Sequence, residues 1–254
     1  MQGKPYKIAL LGLALLLLVA GSFMQKRLNQ QRSELGLTRV APLENAPPVL
    51  AFTTVALGGF RGLIANALWI RANDLQQEDK YFEQVQLSDW ITKLEPTFVQ
   101  VWVVQAWNMA YNISVKFPEH ADRWLWVQRG IELLRDQGLR YNPGKALMYR
   151  ELAWFFQHKM GANLDDAHNY YKSQWFLKMN GVLPYGRANY ATLLKPETPE
   201  ELERVRRLTT EFKLDPRLMQ KVDDAYGPLD WRLPEAHAIY WAMAGIENTG
   251  SQDK

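Results

Sequence analysis

The chain has 254 residues, of which 47% are hydrophobic and 22% charged, so it can bury the core of one or two domains. Its net charge is only +3, with both signs interleaved along the sequence, which argues against a nucleic-acid-binding surface. It contains no cysteine, and this excludes disulfides, thiolate metal sites, thiol catalysis and thioether-linked haem.

The first element is an uncharged apolar run, residues 8–24, which follows a short tail of residues 1–7. The run is at the lower limit of length for a helix that crosses about 30 Å of hydrocarbon, and basic residues flank it. It therefore predicts a transmembrane helix, with the bulk of the chain outside the cytoplasm of a bacterial inner membrane as the default topology. The alternative is a cleaved signal peptide, for which Ala20 and Ser22 offer a small-x-small site.

Residues 25–58 are predicted to form a linker between the membrane and the folded part. Their first part, "QKRLNQQRSEL", could continue the preceding helix. Pro42, Pro47 and Pro48 then favour extended backbone and prevent a continuous helix.

A short pattern recurs in the rest of the chain. A proline is followed by an aromatic residue six positions later, an alanine ten positions later and a tryptophan eleven positions later. Two copies are complete: Pro96, Trp102, Ala106, Trp107 and Pro143, Tyr149, Ala153, Trp154. A partial copy consists of Pro234, Tyr240 and Ala244, and a weak copy of Pro184 and Tyr190. The dense stretch "LEPTFVQVWVVQAWNMAYN" is thus one copy of a repeat, and its polar residues argue against a second membrane span.

This pattern resembles the tetratricopeptide repeat family of helical hairpins, in which an aromatic and a small residue lie four apart in each first helix. The resemblance implies an all-α fold with an α-solenoid over residues 59–186, followed by C-terminal helices over residues 187–254 that cap it or fold across it. The 47 residues from Pro96 to Pro143 exceed the family's period of about 34, so the middle unit would contain an insertion or a long second helix. In layout the chain also resembles bacterial membrane-anchored repeat proteins without assigned activity.

The residues also predict helical hairpins independently of the family. No window alternates as a strand would, and small residues such as Ala106 and Ala153 would let two helices approach closely. Thr198, Pro199 and Glu201 form the capping box of a charged surface helix.

The resemblance implies that one face of each first helix lines a concave groove. The implied positions are Trp69, Asn73 and Gln77 in the first unit, Val103, Trp107 and Tyr111 in the second, and Arg150, Trp154 and His158 in the third. Residues four apart share a helix face, and an aromatic strip edged by amides and one cation suits an extended peptide or a partner helix. The alternative is that Trp107 and Trp154 are ordinary core residues.

No catalytic or metal-binding constellation is predicted, and no cofactor is expected. Asp165 and Asp166 are predicted to cap a helix, and Asp230 to accept hydrogen bonds within a proline-bounded turn. None of the histidines lies in a metal-binding motif: His120, His158, His168 and His237.

These features predict a membrane-anchored, non-catalytic adaptor or scaffold that binds another protein or a peptide through the groove. Two alternatives stay open. One is a cell-envelope enzyme or glycan-binding protein with a Trp-rich cleft, in which Glu151 or Asp230 would serve as the acid. The other is a structural subunit of a larger membrane complex.

Overall fold

The computed structural model describes residues 4–34 and 61–249, and all regular structure in these ranges is helical, which confirms the all-α prediction. Most of the predicted linker, from residue 35 onward, lies outside the described residues. The helices are α1 (Lys4–Glu34), α2 (Arg61–Gln77), α3 (Tyr81–Leu94), α4 (Val99–Trp107), α5 (His120–Glu132), α6 (Ala146–Trp154), α7 (His168–Asn180), α8 (Tyr190–Leu194), α9 (Pro199–Thr210), α10 (Pro216–Tyr226) and α11 (Pro234–Thr249).

Three of these helices continue into wider, π-helical turns. The turns are Asn108–Ile113 after α4, Leu133–Gly138 after α5 and Phe155–Gly161 after α6. The first is followed by a 3₁₀ turn, Ser114–Lys116, and the second by a short α-helical turn, Leu139–Tyr141. Such turns shift the direction of the side chains that follow them, and they recur at functional sites.

Helix α1 contains the whole apolar run of residues 8–24 and extends into the predicted linker. Several of its apolar side chains are exposed, for example Leu18 at 71% and Phe23 at 72%. Within the described ranges, no helix combines the length and the apolar character that crossing a membrane requires. The structure therefore does not support the predicted transmembrane helix.

Helices α2 and α3 form a hairpin with a small core of its own. The turn between them uses Asp79 with a positive φ of 59°, and the Lys80 N–H donates to the Leu75 carbonyl to close α2. The small core consists of Ala65, Ala72, Ile91, Leu94 and Val101. The main core begins on the other side of α4, at Trp102 and Val103, and extends through every later helix.

Helices α4 and α5 approach closely because one of them carries a glycine at the crossing. A Cβ atom on Gly130 would lie 2.8 Å from the Ala106 carbonyl oxygen and 3.3 Å from the Ala110 Cβ. Ala106 and Ala110 are fully buried there, so small residues on both helices set the short distance between their axes.

Helix α6 packs most extensively along α11, the last described helix, rather than on α7, which follows it in sequence. Here Gly245 allows the approach, because its Cβ atom would lie 2.9 Å from the Tyr149 Cβ. The C-terminal region thus returns to the middle of the chain and shares the main core. The predicted solenoid is not confirmed by this arrangement.

Two of the four aromatic positions of the repeat pattern have equivalent settings. The Trp102 Nε1–H donates to the Pro96 carbonyl at 2.9 Å, and the Tyr149 hydroxyl donates to the Pro143 carbonyl at 2.7 Å. Each bond links the aromatic side chain to the carbonyl of the proline six residues earlier. Each side chain thus holds the segment that precedes its own helix.

The third position, Tyr240, has a different setting. Its hydroxyl accepts the Asp215 N–H at 2.8 Å and faces the Lys213 carbonyl at 3.4 Å, instead of reaching back to Pro234. The loop between α9 and α10, where Lys213 has a positive φ of 56°, covers the ring. The local equivalence is therefore limited to Trp102 and Tyr149. In the weak fourth copy the Tyr190 hydroxyl donates to Asp223 Oδ2 instead.

Candidate functional site

Four aromatic rings from α4 and α6 form a continuous row, which we call the aromatic ledge: Trp107, Tyr111, His158 and Trp154. Trp107 stacks on Tyr111 with ring centroids 4.2 Å apart. The Tyr111 hydroxyl lies 3.2 Å from His158 Nδ1, and His158 stacks on Trp154 at 4.5 Å. The row therefore crosses from one helix to the other without a break.

The spacing of these residues in sequence explains the row. Trp107 and Tyr111 lie four apart, as do Trp154 and His158, so each pair shares one face of its helix. Tyr111 and His158 lie in the π-helical turns that extend α4 and α6. Phe155, which is fully buried, supports the ledge from below with edge contacts to Trp107 and Tyr111.

The ledge is exposed at one end and half-buried at the other. Trp154 is 39% exposed, whereas Trp107, Tyr111 and His158 are half-buried. The adjacent Arg150 side chain is 72% exposed. Trp107 thus packs inside the fold, whereas Trp154 reaches solvent.

A buried carboxylate joins the two helices that carry the ledge. Glu151 is only 5% exposed, and its Oε2 accepts the Trp107 Nε1–H at 2.7 Å. Its Oε1 accepts the Arg150 Nε–H at 3.0 Å, so a cation offsets the buried charge. Burial, together with the negative charge of Glu151, raises the pKa of Tyr111, which therefore stays a neutral phenol.

A cavity of about 380 Å³ adjoins the ledge and shares two of its residues. It lies between the ends of α4 and α6, the start of α5 and the loop before α7. The lining residues are Tyr111, Val115, Arg123, His158, Lys159, Leu164, Asp165 and Asp166.

An ion cluster centred on Asp165 forms one wall of this cavity. The Asp165 carboxylate accepts hydrogen bonds from Lys159 Nζ at 2.6 Å, the Tyr171 hydroxyl at 3.1 Å and the Ala167 N–H at 2.9 Å. Arg123 contacts it at 3.3 Å and also pairs with Asp166. Although burial favours the neutral acid, these bonds prevail and lower the pKa of Asp165 to about 2.

Lys159 is the most deeply buried cation of this cluster, with its side chain only 4% exposed. Burial lowers its pKa, and the bond to Asp165 opposes that shift. Its ammonium group also lies 5.0 Å from the ring centre of Tyr111 and 5.8 Å from that of Tyr171, within the range of cation–π attraction. The cluster thus fixes the loop before α7 against α6.

The structure joins Trp107, Tyr111, Arg150, Trp154 and His158 of the predicted groove. The three predicted positions on α2 are not part of this row, because Trp69 packs on Phe98 of the α2–α3 side, with ring centroids 5.5 Å apart. Three further predicted positions also lie outside the row: Asn73 is half-buried, Gln77 is exposed and Val103 is buried in the main core.

Sequence reasoning missed the roles of Lys159 and Arg123 and gave Asp165 only part of its role. Asp165 does accept the Ala167 N–H just before α7, as a cap would, but it is mainly the centre of the ion cluster. The available signal was Lys159 itself, a charged residue in the apolar segment "FFQHKMG" that continues α6.

The other candidate chemistry has structural explanations. Asp230 accepts the Nε–H and Nη2–H of Arg232 at 2.9 and 2.7 Å, and these bonds lower its pKa, so it remains ionised within the turn. Across the described residues, no group of histidine and acidic side chains is placed to hold a metal ion. In comparisons with models of known families, with curated proteins and with solved structures, nothing matched the chain.

Proposed function

We propose that this protein is an adaptor or scaffold related to the tetratricopeptide helical-hairpin proteins, and that its aromatic ledge binds a peptide or a helix of another protein. The observation that carries the proposal is the row of four rings, open to solvent at Trp154 and flanked by the exposed Arg150. Aromatic and arginine side chains dominate binding energy at protein interfaces, because they supply large contact areas and directed hydrogen bonds.

The contacts of the two buried carboxylates support a binding role over a catalytic one. The Glu151 carboxylate accepts hydrogen bonds from Trp107 and Arg150. The Asp165 carboxylate accepts hydrogen bonds from Lys159, Tyr171 and Arg123. A general acid requires a raised pKa and a proton to give, whereas the pKa of Asp165 is lowered. Both groups serve to hold the ledge and the cavity in place.

Co-purification from a membrane extract of the native host tests the proposal. We expect wild-type chain to capture a discrete partner and a Trp154→Ala/Arg150→Ala variant to lose it. A Tyr185→Ala/Arg206→Ala variant is the matched control, because it removes the same kinds of exposed side chain elsewhere. Equal capture by all three proteins would discard the assignment of the ledge.

We also propose that the apolar part of α1 attaches the protein to a membrane. The support is the uncharged run of residues 8–24 and the exposure of the apolar side chains described in it. The full chain should sediment with membranes and resist alkaline carbonate, and a chain lacking residues 1–34 should not. A full chain that stays in the supernatant would refute the attachment.

A second candidate function, a structural subunit of a larger complex, is favoured by one surface of α2. Leu63 and Ile70 lie on one face of this helix and are each 63% exposed. If this face is a permanent interface, a Leu63→Ser/Ile70→Ser variant should elute as a smaller species than wild type from native membrane extracts. Unchanged elution would remove this candidate.

A further inference from the structure

The contact between α3 and α4 changes character along its length. Near the connection of the two helices it is apolar, where Ile91 and Val101 belong to the small core. Farther from the connection, both helices present buried polar side chains, which we call the polar seam: Gln84, Ser88, Gln105 and Asn108. Gln105 Nε2 donates to the Val85 carbonyl at 3.3 Å, so the two halves of the seam face each other.

The spacing of the seam residues shows why they meet. On α3, residues 84, 88 and 91 follow the i, i+4, i+7 pattern of one helix face, as do residues 101, 105 and 108 on α4 and its extension. Each face thus begins apolar at the connection and becomes polar away from it.

Several hydrogen-bonding atoms of the polar seam have no partner among the described residues. Its four side chains are at most 2% exposed. The atoms without a partner are Gln84 Oε1, Ser88 Oγ, Gln105 Oε1 and Asn108 Nδ2. A buried polar atom without a hydrogen bond lowers stability, and native proteins commonly satisfy such atoms with internal water.

We propose that the polar seam holds ordered water and that the α2–α3 hairpin opens from the rest of the fold there as one unit. Two amide oxygens that accept, one amide nitrogen that donates and one hydroxyl that does both match what a water molecule offers, since water also donates and accepts. The seam residues carry no charge, so a metal ion is a poor occupant.

The two cores explain why opening would stop at this seam. The hairpin keeps most of the small core within itself, and Val101 is the one residue of that core on α4. The main core lies on the other side of α4, beginning at Trp102 and Val103. Separation at the seam breaks the edge contacts of Phe82 on α3 with Phe117 and Trp126. It leaves the main core intact, because none of these three residues belongs to it, and this is the condition for a local opening below the free energy of global unfolding.

Native-state hydrogen exchange of the full chain tests the opening. Amides of α2 and α3 should exchange at least about tenfold faster than buried amides of α6 and α11, as expected for a separate unfolding unit. Exchange of both groups at one common rate, and with one common denaturant dependence, would overturn the proposal.

An Ile131→Val variant provides the control for this experiment. Ile131 is buried in the main core, so the substitution should speed exchange in α6 and α11 by roughly two- to tenfold. The α2–α3 amides should not change, because their opening leaves Ile131 packed. If those amides speed up by the same factor, the hairpin and the main core form one cooperative unit and the proposal is wrong.

The water itself is tested by magnetisation transfer from solvent to the side-chain amides. Long-lived internal water should give nuclear Overhauser signals at the Nδ2–H protons of Asn108, and these should weaken in a Ser88→Ala/Gln105→Leu variant that removes two water partners. A wild-type spectrum without such signals would show a dry seam and refute the hydration.

Discussion

Asp165 is a single acidic side chain that connects three elements around the cavity. It brings together Lys159 from the π-helical turn after α6, Arg123 from α5 and Tyr171 from α7. Its side chain is 7% exposed and that of Lys159 is 4% exposed, so both charged groups are largely shielded from water. A buried pair of this kind contributes little in itself, but the loss of one member leaves an uncompensated charge.

We therefore predict that Asp165→Asn lowers the free energy of unfolding by about 3–5 kcal/mol, because it leaves the Lys159 cation buried without an anion. Lys159→Met should cost less, since Asp165 keeps Arg123 as a partner. Urea denaturation at pH 7 measures both changes. A smaller loss for Asp165→Asn than for Lys159→Met would contradict the central role of this carboxylate.

His237 gives the fold a dependence on pH. It is fully enclosed, its Nε2–H donates to the Trp231 carbonyl at 2.8 Å, and it stacks on Phe156 with ring centroids 5.1 Å apart. Burial, aided by the nearby charge of Arg135, lowers the pKa of His237 to about 4, against 6.5 for the free side chain.

Because the folded pKa lies below the unfolded one, the unfolded chain binds the proton first as the pH falls. We predict that stability decreases from pH 6.5 to pH 4 by about 3 kcal/mol from this residue. Chemical denaturation of wild type and His237→Gln across this range isolates the effect, since glutamine can keep the bond to Trp231 without titrating. Parallel pH profiles for the two proteins would exclude His237 as the cause.

At the scale of elements, glycines decide which helices can pack closely. Gly130 lies under Ala106 where α5 crosses α4, and Gly245 lies on Tyr149 where α11 crosses α6. Gly62, also in a helix, has no described atom within 4 Å of the place where a Cβ would be, apart from its chain neighbours and its own helix backbone. A comparison of the three positions therefore distinguishes the effect of close helix packing on stability from the effect of glycine's low helix propensity.

We predict that Gly130→Ala and Gly245→Ala each lower the free energy of unfolding by about 1–3 kcal/mol, because the added methyl group forces the helices apart. Gly62→Ala should raise it, by up to about 1 kcal/mol, since alanine is the better helix former. Thermal or urea denaturation of the three variants gives the comparison. A gain in stability at Gly130 or Gly245 would show that these crossings are looser than described.

The local part of the fold could be predicted from the sequence, because helix periodicity and capping depend on near neighbours. The capping box of α9 is confirmed, with the Thr198 hydroxyl accepting the Glu201 N–H at 3.2 Å. The equivalent bonds of Trp102 and Tyr149 to their prolines likewise follow from a spacing of six residues.

The long-range part could not be predicted in this way. Tyr240 has the same spacing from a proline, but a loop distant in sequence supplies its hydrogen bonds. The return of α11 to α6 depends on Gly245 meeting Tyr149, and no local pattern encodes which distant helix a glycine will meet. Trp69 lies outside the aromatic ledge for a similar reason, since it packs against Phe98 and the small core.

At the scale of the whole molecule, α4 separates two surfaces with different properties. One side faces the polar seam and the α2–α3 hairpin, and the other carries Trp107 and Tyr111 toward α6. The ledge rests on the main core through Phe155, whereas the hairpin has its own small core. A partner held on the ledge would therefore contact the side of α4 that rests on the main core.

The most direct test of the ledge is site-specific photo-crosslinking in the native host, with a photo-reactive phenylalanine analogue in place of Trp154. A second chain with the analogue in place of Tyr185, which is 85% exposed, measures contacts at an unrelated surface. The proposal predicts one discrete protein adduct at position 154 that is absent at position 185. No adduct at position 154, or the same adducts at both positions, would contradict it.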